Sequence, residues 1–270
     1  MLLALDVGNT NIVLGLYRLG SDGAASELVA NWRVTTPRSQ TADEFGLLLK
    51  SLFGLRGLDL TSVDGIAIAS VVPPLDSGLR QMCDVYFSVK PLFVEPGVKT
   101  GVPVLTDNPS EVGADRIVNC VAAYERFHGP VIIVDMGTAT KFDVVSKNGE
   151  FLGGAIAPGL GISAEALFSR AAKLPRVDVK KPSKVIGTGT VDNMQIGLYY
   201  GYIGLVDGIL ERMLEEMGQE TKTIATGGLA RLIAGGSKYI GVVDEMLTLT
   251  GLRIIYERNV DRNKRRGVST

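Results

Sequence analysis

Val131-Ile132-Ile133-Val134-Asp135-Met136-Gly137-Thr138-Ala139-Thr140 decides the fold, because four β-branched residues run straight into an acidic, glycine-containing, hydroxyl-rich turn. Such a run reads as a strand covered on both faces. Gly137 lets the chain bend with its N–H groups exposed, Thr138 and Thr140 add hydroxyl donors, and Asp135 stands where a carboxylate can hold a cation or a water on a bound phosphate. The start of the chain repeats the arrangement as Leu2-Leu3-Ala4-Leu5-Asp6-Val7-Gly8-Asn9-Thr10, and each copy is followed by an alternating strand, at 11–17 and 141–145. One Asp-x-Gly turn is equally an ordinary hairpin. Two copies in the same setting imply a duplicated lobe, with the phosphates of a nucleotide gripped between the halves.

A chain of 270 residues buries a sizeable core as one large domain or two modest ones, and the duplication favours two. A hydrophobic content of 46% with 21% charged residues is that of a globular protein, and a net charge of −1 gives no electrostatic footprint for nucleic acid. The short basic run 262–266 reads as a solvated tail. Cys83 and Cys120 are too few and too far apart for a disulfide framework or a metal knuckle, which fits a cytoplasmic protein. The first apolar run is broken by Asp6 and lacks a basic flank, so neither a signal peptide nor a membrane span is expected. With His128 the single histidine and in a loop context, proton chemistry falls to carboxylates.

Strands are expected at 28–34, 65–72, around Leu92 and at 223–226, with a turn at Ser21-Asp22-Gly23. Helices are expected from the capping box Thr41-Ala42-Asp43-Glu44, from Leu79 to Tyr86 after a stop at Pro73-Pro74, from Arg116 to Phe127, from Ser163 to Lys173, and from Asp192 to Met217. Strands first and then strand alternating with helix give an α/β fold with mixed sheets flanked by helices. Asp115-Arg116 is read either as a cap with a surface ion pair or as a general base beside an anion-pairing group. The segment 151–161 is too rich in glycine for an ordinary strand, which points to close backbone approach to a ligand or to a plain bend before a helix. Thr226-Gly227-Gly228 is a turn on which a nucleoside can lie, or a turn with no ligand. No Walker-type phosphate loop and no dinucleotide fingerprint after the first strand is present in the sequence.

Seven segments in order carry a resemblance to one family. They are Asp6-Val7-Gly8-Asn9-Thr10-Asn11, Pro96-Gly97-Val98-Lys99-Thr100-Gly101, Asn108-Pro109 with 111–116, Asp135-x-Gly137-Thr138-Ala139-Thr140, Gly153-Gly154-x-Ile156-x-Pro158-Gly159, Met194-Gln195-x-Gly197 with Tyr200-Gly201, and Thr226-Gly227-Gly228-x-Ala230. The chain resembles the type III pantothenate kinases of the sugar-kinase/actin-like superfamily. The resemblance implies two duplicated ribonuclease-H-like (actin-like) lobes, here set at 1–117 and 118–270, and ATP-dependent phosphorylation of pantothenate at the start of coenzyme A synthesis. It also implies Mg²⁺ or another divalent ion, K⁺ or NH₄⁺, and a homodimer. By position, Asp6, Val7, Gly8, Asn9, Thr10, Asn11, Ile12 and Val13 form the first ATP-phosphate loop, with Asp6 placing the metal–ATP complex. Thr138 contacts phosphate, Asp135 holds the monovalent cation, and the turn at Thr226 lies near the adenosine. Gly113, Ala114, Asp115 and Arg116 line the pantothenate site with Asp115 as base, and Thr190 touches pantothenate from a partner subunit.

Four positions depart from the pattern. Thr106, beside the pantothenate site, stands where the family carries Tyr, and Lys141 stands where Thr is usual after the second loop. Asn193 and Ile196 replace smaller residues. A relative that binds nucleotide without catalysis, or a superfamily member acting on polyphosphate or a sugar, are the rival readings.

Overall fold

The computed structural model describes residues 1–20, 24–37 and 39–266, with no account of side chains beyond 260; the turn expected at 21–23 lies outside the described residues. The strand expected at the start is β1 (Leu2–Val7), which pairs antiparallel with β2 (Asn11–Arg18), itself antiparallel to β3 (Glu27–Thr35). Next come α1 (Ala42–Gly54), β4 (Gly65–Ser70), α2 (Pro73–Phe87) and β5 (Leu92–Phe93), with β4 parallel to β1 and β5 parallel to β4. The sheet order is β3-β2-β1-β4-β5. After α3 (Ala114–Phe127) the chain repeats this plan with β6 (Val131–Met136), β7 (Ala139–Val145), β8 (Phe151–Pro158), α4 (Leu160–Arg170), α5 (Thr190–Met217), β9 (Lys222–Thr226), α6 (Ala230–Ala234) and β10 (Val242–Val243). Its order, β10-β9-β6-β7-β8, is the first order with each strand replaced by its counterpart. The two sheets have the same parallel and antiparallel pairings, as a duplicated α/β fold requires. The last element is α7 (Leu247–Arg266), so the basic run continues a helix instead of forming a tail.

The compact units are not two continuous segments meeting at 117/118. One comprises 1–101, 108–122 and the chain from Thr248 onward; the other comprises 102–107 and 123–247. The C-terminal helix joins the first unit for a packing reason: Thr248 Oγ1 donates to Asn119 Oδ1 at 2.8 Å, and a Cβ on Gly251 would stand 2.1 Å from the Val118 carbonyl. The segment 102–107 joins the second unit because Leu105 N–H donates to Phe151 O and Phe151 N–H to Pro103 O.

In the first unit Leu3, Leu5, Ile12, Leu14 and Leu16 pack on Phe45, Leu49 and Phe53 of α1 and on Leu75, Leu79 and Met82 of α2. The α1 start is the expected capping box, Thr41 and Glu44 satisfying each other's backbone N–H. Pro73 and Pro74 do not merely stop β4. They occupy the first positions of α2, where a missing N–H costs nothing. In the second unit Ile132, Val134 and Phe142 pack on Tyr199, Tyr202 and Val206 of α5. The glycine-rich segment is an ordinary sheet member, β8, contrary to expectation. A Cβ on Gly154 would fall 1.7 Å from Phe142 O, so glycine is needed there for the neighbouring strand and not for a ligand.

Candidate active site

The first turn is three residues long, Gly8 to Thr10, and is closed by Gly8 N–H donating to Asn11 O at 3.0 Å. Asn9 and Thr10 are exposed, and Asp6 is partly buried at the sheet end. Val7 and Ile12 are core residues, 0% and 1% exposed, so only their backbone can face a ligand. Thr36, just beyond β3, clamps this turn at both ends. Its N–H donates to Thr10 O at 2.9 Å and its Oγ1 to Gly8 O at 2.5 Å. Sequence reasoning missed Thr36, because its only signal is the register that sets Asn11 opposite Thr35.

Asp115 belongs to the same end of the same unit. Val71 N–H, just past β4, donates to Val7 O. A Cβ placed on Gly113 would stand 3.6 Å from Val71 Cγ1 and 2.6 Å from Asp115 Oδ1. Gly113 therefore leaves the space in which the Asp115 carboxylate sits, with Arg116 N–H donating to Asp115 Oδ1 at 2.9 Å. Gly113 O accepts from the N–H groups of Arg116 and Ile117, which starts α3 two residues before the expected Arg116. That places Asp115 and Arg116, both partly buried, in the first helical turn, where the macrodipole favours negative charge.

The second turn, in the other unit, has two residues, Gly137 and Thr138, both exposed. Gly137 N–H is committed to Ala139 O, and Thr138 O accepts from Gly159 N–H at 3.1 Å. A Cβ on Gly159 would stand 2.2 Å from Thr138 O, so α4 starts directly against the turn. Gly227, at φ +96, lies backbone to backbone on Met136, which brings the Thr226-Gly227-Gly228 turn to the same end of this sheet. Thr140 is not a phosphate donor. It is fully buried, and its hydroxyl is hydrogen-bonded to Tyr202 of α5. Burial is the main cause that pushes the Tyr202 phenol above its usual range, and the nearby Asp135 charge adds to it.

Asp135 faces Lys141 across the β6–β7 ladder, and Lys141 Nζ lies 2.8 Å from Asp135 Oδ2. The pairing follows from the hairpin register, which is centred on Thr138. Thr190 is the exposed first residue of α5 and lines an apolar groove of about 480 Å³ with Leu167, Leu174, Met194 and Leu198. Thr106 lies in the second unit, its Oγ1 buried without a hydrogen-bond partner and its Cγ2 3.9 Å from where a Cβ of Gly153 would be. The site residues thus fall into two groups, Asp6–Val13 with Gly113–Arg116 in the first unit and Asp135, Thr138 and the Thr226 turn in the second. Among the described residues, no helix is long and apolar enough to cross a membrane.

The sequence model of the type III pantothenate kinases matches residues 2–212. This chain belongs to the type III pantothenate kinase family. The type III pantothenate kinase of Acidobacterium capsulatum is 62% identical over 257 residues, covering 95% of this chain and 94% of that one. Among solved structures, a Campylobacter jejuni protein described as a conserved Baf family transcriptional activator has a TM-score of 0.60 at 18% identity, covering 96% of this chain and 99% of its own. A protein provisionally assigned as a 2-dehydro-3-deoxygalactonokinase from Sinorhizobium meliloti has a TM-score of 0.57 at 14% identity, covering 96% of both chains. At those identities the structures speak for the fold, the duplicated actin-like architecture that this family shares.

Proposed function

We propose that this protein transfers the terminal phosphoryl group of ATP to the primary alcohol of pantothenate, the first step of coenzyme A synthesis, with Asp115 as the base. Membership of the pantothenate kinase family supports the reaction. The observation that carries the assignment of Asp115 is its space above Gly113, at the sheet end that also bears the Asp6 turn. The alcohol attacks phosphorus in line, Asp115 accepts its proton late, and Arg116 pairs with an anionic group of the substrate. The exposed Asn9, Thr10 and Thr138 and the backbone of their turns bind phosphate oxygens.

Among the described residues, no cluster of three or more His, Cys, Asp or Glu is arranged to hold a metal. Asp6, partly buried at the sheet end beside the exposed Asn9 and Thr10, fits a Mg²⁺ that arrives with its nucleotide and would be held also by phosphate oxygens and water. When bound, the ion offsets charge on the phosphates. The pantothenate side is completed by Thr190 from a second copy of the chain. Gly197, Gly201 and Gly204 are exposed on α5, and a Cβ on any of them would meet nothing within 4 Å, so another helix can approach closely there. The buried thiols Cys83 and Cys120 suit a reducing cytoplasm.

Asp115→Asn is expected to lower pantothenate-dependent turnover by about a hundredfold or more, with ATP affinity by calorimetry held within about twofold. Turnover at the level of the natural chain would remove Asp115 from the role of base.

A further inference from the structure

Lys141 stands directly opposite Asp135 in the second hairpin, and their side chains are 17% and 16% exposed with a 2.8 Å contact. In the first hairpin the residue opposite Asp6 is the apolar Val13. Val13 is the third residue of β2 and Lys141 the third of β7, so the two aspartates face equivalent ladder positions that differ in residue type. Family resemblance gives Asp135 a K⁺ or NH₄⁺, and the residues present do not fit that group. A carboxylate attracts a free cation through uncompensated charge, and here an ammonium on the adjacent strand meets that charge. Because Lys141 is tethered, a dissolved ion competes against an intramolecular partner at high effective concentration. Partial burial also protects the pair from the salt screening that weakens surface ion pairs. The hairpin that carries it is held by Tyr202 through Thr140, one residue before Lys141.

We propose that the Lys141 ammonium is a tethered monovalent cation, standing beside Asp135 where K⁺ or NH₄⁺ is otherwise expected, and that it frees turnover from either ion. The inference rests on the kinase reading above and concerns what that reaction requires. It makes Lys141 a positioning residue for the second phosphate turn.

Rates of ADP release are measured with tetramethylammonium as the only monovalent cation, then with KCl or NH₄Cl added at constant ionic strength, for the natural chain, Lys141→Arg and Lys141→Thr. The natural chain and Lys141→Arg should change by less than about twofold, whereas Lys141→Thr should be slow in tetramethylammonium and recover about tenfold or more with K⁺. Melting temperatures give a readout independent of turnover. Added K⁺ should raise that of Lys141→Thr and leave that of the natural chain in place, because an ion bound only by the native state stabilises it by mass action. Activation of the natural chain by K⁺ of about tenfold overturns the proposal even if the threonine variant does not fold. A folded Lys141→Thr indifferent to K⁺ in both rate and melting overturns it as well. ADP release that ignores pantothenate in every salt would count against the kinase reading instead, and the melting comparison would still decide the cation question.

Discussion

Gly113→Ala tests whether the space above Gly113 sets the position of Asp115, the proposed base. Gly113 is not at a positive φ, so alanine is compatible with its backbone. The added methyl would stand 2.6 Å from Asp115 Oδ1 and 3.6 Å from Val71 Cγ1. The second contact is ordinary, but the first obliges the carboxylate oxygen to move by roughly 1 Å to reach a normal non-bonded separation. A displacement of that size in a catalytic group costs about a hundredfold in turnover, or about 2.7 kcal/mol of transition-state stabilisation. Steady-state kinetics should therefore show kcat falling by that order while KM for ATP stays within about twofold, because the first phosphate turn is untouched. The melting temperature should hold within a few degrees, since no core atom is lost. Gly54→Ala serves as the comparison, because a Cβ there meets nothing within 4 Å and Gly54 lies in α1, remote from the site in sequence and role. A Gly113→Ala protein with kcat equal to that of Gly54→Ala would show that the position of Asp115 does not govern the reaction.

Thr36→Val keeps the branched shape and the N–H bond to Thr10 but deletes the hydroxyl bond to Gly8 O, so chemical denaturation should show a loss of about 1 kcal/mol and KM for ATP should rise. The alkaline side of the stability profile reports on Cys83. Burial pushes its thiol from 9.0 up to about 12, so the folded state keeps the proton after the unfolded chain has lost it. The contribution is fully present below pH 9.0 and is lost as pH rises towards 12. Removing the thiol with Cys83→Ala should lessen the fall in unfolding free energy across that window by up to about 1.4 kcal/mol per pH unit, which denaturant titrations at several pH values would measure.

The duplication was legible because both copies carry a β-branched run, an acid and a glycine at one spacing, and because antiparallel pairing around a short turn is a local event. Thr41 and Glu44 announced α1 for the same reason. What stayed hidden depends on distant partners. The glycine at position 154 answers to Phe142 O on the neighbouring strand, and the buried Thr140 to Tyr202 some sixty residues further on; neither is visible in a window of sequence. The return of α7 to the first unit depends on Gly251 meeting Val118. For the candidate site, residue types singled out Asp6, Asp115 and Thr138 as the groups to test. The clamp at Thr36 and the partner of Asp135 needed strand register, which side-chain chemistry alone does not give.

Coupled ADP release from MgATP, run with and without pantothenate and followed by mass analysis of the products, tests most directly whether this chain is a pantothenate kinase. ADP should form only when pantothenate is present, in equal amount with a phosphomonoester of pantothenate. Nucleotide binding with no such product, or ADP formed at the same rate without pantothenate, would contradict the account.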